Sequence, residues 1–169
     1  MMLDISVEAD AEWDSRIGWA ALAERAVAAA VAESAFPQLT TSERSVEVAL
    51  RLTNDDAVRT LNAEWRGKDK PTNVLSFPLA EADELDVTGD ADSPELMLGD
   101  IVLAHGVCAV EAADKQVAIA DHAAHLMIHG TLHLLGYDHG DDDSADDMEK
   151  REVRALARLD IADPYAGDR

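Results

Sequence analysis

His125-Leu-Met-Ile-His129-Gly-Thr-Leu-His133-Leu-Leu-Gly136-Tyr-Asp-His139 is the stretch on which the reading of this chain turns. His129 and His133 are four residues apart, so on a helix they lie on one face, a turn apart. Imidazole nitrogens placed that way can reach one metal ion at about 2.0–2.1 Å each. Gly136 is suited to end the helix in a left-handed turn, after which the chain can bring His139 back as a third ligand. Three nitrogen ligands leave one tetrahedral position open, the mark of a catalytic rather than a structural zinc. His122 and His125 share the stripe, but His125 and His133 are eight residues apart, about 12 Å along the axis, too far for one ion. His129, His133 and His139 are therefore the expected ligands of one zinc ion per chain.

Such an ion, bound by neutral imidazoles, keeps its full charge and can bring the pKa of bound water to about 7. The expected ligands sit near the C-terminal end of their helix, where unpaired carbonyls favour a cation. Asp138 is either an orienting partner for a histidine or an exposed turn residue. Helical zinc peptidases carry His-Glu-x-x-His with the glutamate as general base. Here that position is Gly130, which counts against peptidase chemistry.

Two further blocks carry a family likeness together with the histidine run. One is Leu61-Asn62 followed by Trp65-Arg-Gly-Lys68-Asp-Lys70-Pro-Thr-Asn73-Val-Leu-Ser-Phe-Pro78, and the other is Leu98-Gly-Asp100-Ile-Val-Leu103. Asp160-Ile-Ala-Asp-Pro-Tyr165 adds to them. In this order, over residues 46–165, the chain resembles the YbeY family of bacterial metal-dependent endoribonucleases. The resemblance implies cleavage of single-stranded RNA, a role in 16S ribosomal RNA 3′-end maturation and ribosome quality control, and contact with small-subunit proteins. It also implies a functional arginine at Arg66, whose guanidinium can bind phosphate in a bidentate fork. Two other readings remain: a metal hydrolase of another class, such as a peptidase, and a non-catalytic ribosome-assembly factor with a structural metal.

The charge balance pulls the other way. The 169 residues carry 35 acids and 14 bases, a formal net charge of −21, whereas RNA-binding proteins usually present a basic footprint. The bases are not evenly spread: Arg59, Arg66, Lys68 and Lys70 fall within twelve residues and form the expected RNA contact. Acids gather elsewhere, eight of them in 81–100 and seven in 138–149. The segment 79–98 reads as a long, solvated acidic loop.

The rest of the chain reads as a single α+β domain, 1–169, with a four-stranded mixed sheet, surrounding helices and a central metal-binding helix. Leu3, Ile5 and Val7 alternate with polar residues, and so do the apolar residues of 46–52, as in half-buried strands. Residues 74–78 and 99–104 supply two more. Helices are expected over 13–34, over a segment capped by Asn54 or Asp55 that turns Val58, Leu61 and Trp65 inward, over 105–115 and over 118–135. A last helix, to about 158, would open at a capping box, Ser144-Ala-Asp-Asp147. No apolar run is long enough for a membrane span, and no secretory signal opens the chain. The lone Cys108 suits a reducing cytoplasm and reads as a core residue. No DNA partner is expected.

Overall fold

A computed structural model describes residues 3–41, 45–81, 85, 95–138 and 140–166. The strands are β1 (Leu3–Ala9), β2 (Ser45–Thr53), β3 (Val74–Pro78) and β4 (Glu95–Ala104). The helices are α1 (Trp19–Ala32), α2 (Asp55–Arg66), α3 (His105–Lys115), α4 (Ile119–Leu134) and α5 (Asp142–Arg158), with a short 3₁₀ turn at Pro37–Thr40. The sheet order is β1-β2-β4-β3; β1, β2 and β4 run parallel, and β3 is antiparallel to β4. This is the expected α+β architecture, a single domain around a four-stranded mixed sheet.

The apolar residues that alternate along the strands meet α1 and α4 on one face of the sheet. Val46, Val48, Leu50 and Leu52 of β2 join Ala23, Ala26, Val27 and Ala30 of α1 and Met127, Ile128 and Leu132 of α4 in the main core. The alanines of α1 let that helix lie close. A smaller cluster on the other face, Val58, Leu75, Val102 and Ala104, is covered by Leu61 of α2 and Val107 of α3. Ala123 to Ile128 are all buried, so α4 is the central helix. Cys108 lies in the main core, and burial pushes its thiol up to about 12, as fits a packing residue.

Asn54 caps α2, its side chain accepting from the Ala57 amide at 2.8 Å. Gly99 adopts φ 144°, and a Cβ there would stand 2.2 Å from the Phe77 carbonyl oxygen; no other residue fits that crossing of β3 and β4.

Four local expectations give way. The first helix begins at Trp19, because Trp13 is held in a turn by its indole N–H, which donates to the Thr53 carbonyl at 3.0 Å. Trp65 does not point inward: it is 67% exposed at an open cleft over the sheet, its ring edge-on to Phe77, and only Val58 and Asn62 of α2 are fully covered. The cap of α5 is Asp141, which accepts from the Ser144 amide at 2.7 Å, so the capping box at 144–147 does not form. β4 begins at Glu95, inside the span read as loop. Most of the acidic segment lies outside the described residues.

Candidate metal centre

The last turns of α4 carry His129 and His133 on one side, four residues apart, with their Nε2 atoms 3.1 Å from each other. Two nitrogen ligands of a tetrahedral zinc, each at about 2.0–2.1 Å, stand about 3.3 Å apart, so this pair suits a shared ion. The other nitrogen of His129, Nδ1, lies 2.5 Å from Oε1 of Glu152 on α5. A carboxylate can only accept here, so Nδ1 carries the proton and Nε2 keeps its lone pair for a metal.

Glu152 is fully buried, yet its carboxyl is held well below the usual range. Burial alone would raise it; the His125 imidazole, 3.6 Å away, and the hydrogen bond from His129 outweigh that penalty. The Tyr165 hydroxyl donates to Glu152 Oε2 at 2.6 Å and lies 3.1 Å from His125 Nε2. Burial, and then the neighbouring Glu152, push the tyrosine far up, so it stays a neutral donor. The carboxylate is thus tied on both oxygens and presents a constant charge behind His129.

After Leu134 the chain turns at Gly136, φ 98°, as the left-handed exit of the helix requires. His139, the expected third ligand, lies outside the described residues. Among the described residues no group of three potential ligand side chains gathers, so the pair His129–His133 is the part of the constellation on view. Asp138 meets no histidine among the described residues; its Oδ1 accepts from the Gly140 amide at 2.9 Å and shapes the turn.

A narrow cleft of about 190 Å³ opens beside the histidines. His129, His125 and His122 line one wall and Glu111, Lys115 and Asn73 the other. His122 Nε2 donates to Glu111 Oε1 at 2.9 Å, and Asn73 Nδ2 donates to the same oxygen at 3.0 Å.

The expected RNA-facing bases are placed on and after α2. Arg66 is the last residue of that helix and is exposed, but it is not among the residues lining this cleft. Lys68 and Lys70 are exposed in the loop that follows, which is held by Asn62 Nδ2 donating to the Lys70 carbonyl at 2.8 Å. Arg59 is already engaged: its Nε and Nη2 donate to the two carboxylate oxygens of Asp69 at 2.8 and 3.2 Å.

Glu152, Tyr165 and Glu111 do not stand out in the sequence. Glu152 lies just beyond the acidic run 138–149 and draws no notice of its own. The signal was its position: Met148, Glu152, Ala155 and Leu156 form the buried stripe of α5, and a carboxylate on such a stripe needs partners.

Known proteins resemble this chain in sequence and in fold. The profile of the family described as Endoribonuclease YbeY matches residues 9–160. A protein of that name from Sphingopyxis alaskensis is 54% identical over 165 residues, covering 98% of each chain. The one from Rhizorhabdus wittichii is 49% identical, again over 98% of both. A solution structure of a Thermotoga maritima protein superposes with a TM-score of 0.54 at 23% identity, covering 93% of this chain and 92% of that one, a likeness of fold. The chain belongs to the YbeY endoribonuclease family.

Proposed function

We propose that this chain is a zinc-dependent endoribonuclease that favours single strands and acts in the cytoplasm on ribosomal RNA, at the 16S 3′ end and in ribosome quality control. Family membership makes it an endoribonuclease of ribosomal RNA processing, a hydrolase of RNA phosphodiester bonds. The zinc ion, the site of cleavage and contact with small-subunit proteins are this reading's own.

One observation carries the metal: the facing Nε2 atoms of His129 and His133, with Glu152 setting the His129 tautomer. His139 completes the donor set through its spacing in the sequence. When bound, zinc supplies a Lewis acid able to activate water near neutral pH. The protein's own residues do the rest. Glu152 and Tyr165 keep the His129 ring in one orientation, and Arg66 binds the phosphate through its guanidinium fork. Lys68 and Lys70 add charge for the RNA backbone.

A peptidase reading loses ground at Gly130. A Cβ there would stand 2.9 Å from Ile101 Cγ2, so the position faces the sheet and has no room for the glutamate base. No helix among the described residues is long and apolar enough to cross a membrane.

The deciding experiment combines elemental analysis of the purified protein with cleavage of a 16S 3′-end precursor. About one zinc per chain and cleavage lost on chelation and regained with zinc are expected. A metal-free protein that cuts RNA at full rate would overturn the reading.

A further inference from the structure

Hydrolysis by water leaves the ribose 2′-hydroxyl unused. An enzyme of this kind that selects RNA must therefore recognise that hydroxyl by binding it, because the 2′-hydroxyl is what separates RNA from DNA at a given site. A carboxylate oxygen is suited to such recognition, since it accepts from a hydroxyl and finds no donor on a deoxyribose.

The cleft beside His129 holds such an oxygen. Glu111 Oε1 accepts from both His122 Nε2, at 2.9 Å, and Asn73 Nδ2, at 3.0 Å. Among the described residues its Oε2 has only a 3.4 Å contact with Asn73, and the side chain is 35% exposed. One oxygen is thus held by two donors and the other by a single long contact, on a side chain that lines the cleft. His122 is held neutral chiefly by burial, so it anchors as a hydrogen-bond donor rather than as a counter-ion. Lys115 lines the same cleft and offsets the repulsion between the carboxylate and a nearby phosphate. The volume, about 190 Å³, equals several waters at about 30 Å³ each and admits a sugar unit.

We propose that Glu111, positioned by His122 and Asn73, reads the ribose 2′-hydroxyl of a nucleotide next to the scissile phosphate. The inference rests on the endoribonuclease reading, and binding to metal-free protein tests it apart from cleavage. Fluorescence anisotropy would compare one labelled single strand in three forms: ribose, 2′-deoxy and 2′-fluoro. The native protein should bind the ribose strand about tenfold more tightly than either other form, the order expected for one hydrogen bond to a charged group. Glu111→Ala should bring all three to the weaker level. Glu111→Gln keeps the size and the anchor but replaces the charged acceptor by an amide that can only donate to the hydroxyl oxygen, so its ribose preference should fall clearly below the native one. No ribose preference in the native protein, or an undiminished one in either folded variant, overturns the proposal. Absent RNA cleavage by the zinc-loaded protein would instead strike the endoribonuclease reading.

Discussion

Glu152 accepts a hydrogen bond from His129 at 2.5 Å across a separation of 23 residues, and that bond decides which ring nitrogen is left to face His133. The carboxylate is therefore part of the centre although it need not touch a metal. Losing such a partner typically weakens metal affinity about 10- to 100-fold. Glu152→Gln should show that loss in a competition titration with a chromophoric chelator. His129→Ala, His133→Ala and His139→Ala should abolish tight binding, and His122→Ala should retain it. Native affinity in the Glu152 variant would reduce that residue to a packing role.

Arg66 is expected to act on phosphate rather than on the fold. It is exposed at the end of α2, so Arg66→Ala should keep both the metal and the melting temperature. Cleavage should fall about 100- to 1000-fold, the usual loss when a donor that stabilises charge is removed. Arg66→Lys should recover only part of the rate, because an ammonium cannot form the fork. Unchanged turnover in the alanine variant contradicts the assignment.

The Arg59–Asp69 pair narrows the RNA footprint. With Arg59 engaged, Arg66, Lys68 and Lys70 remain, and a log–log salt slope of about −2 follows at about −0.7 per phosphate on single strands. Lys68→Glu with Lys70→Glu should weaken binding and flatten the slope by about one to two units. Asp69→Asn should release Arg59, tighten binding and steepen the slope. Binding isotherms at several salt concentrations measure all three, and no change on Asp69→Asn would show that Arg59 stands away from the RNA.

His122 is buried, and burial lowers its pKa below the ordinary 6.5, with His125 and Lys115 adding to the effect and Glu111 opposing it. Folding therefore favours its neutral form. As pH falls from 6.5 through the lowered folded value, the unfolded chain takes up the proton first, and the stability this group contributes is lost. A histidine NMR titration should give His122 a midpoint below 6.5. A midpoint above it would mean that Glu111 wins over burial.

Gly130 packs against Ile101, with 2.9 Å available to a Cβ. Gly130→Ala should cost about 1–3 kcal/mol, the range for overpacking a filled core. Thermal or urea denaturation would register it, and a variant as stable as the native protein would show that α4 can lift off β4.

Local signals are easy to read where one residue settles the backbone. The alternation of Leu3, Ile5 and Val7 marks β1, and Asn54 starts α2 through its own side chain. The spacing of His129 and His133 likewise survives folding, because four residues on a helix always share a face. What stays hidden depends on partners far along the chain. Trp13 leaves the expected helix to meet Thr53, 40 residues on, and Trp65 stays exposed beside an open cleft over the sheet. Glu152 looks like one more solvated acid until α5 docks against α4. Each of these outcomes is set by packing between elements, which periodicity within one element does not encode.

The order of the centre's parts along the chain has a consequence for biosynthesis. Translation delivers His129 and His133 first, and Glu152 and Tyr165 follow on α5 and the segment after it. A nascent chain stopped between them owns both imidazoles but lacks the carboxylate that sets the His129 tautomer. The fixed orientation of the His129 ring therefore waits on residues made after it, and a product terminated before Glu152 lacks that constraint.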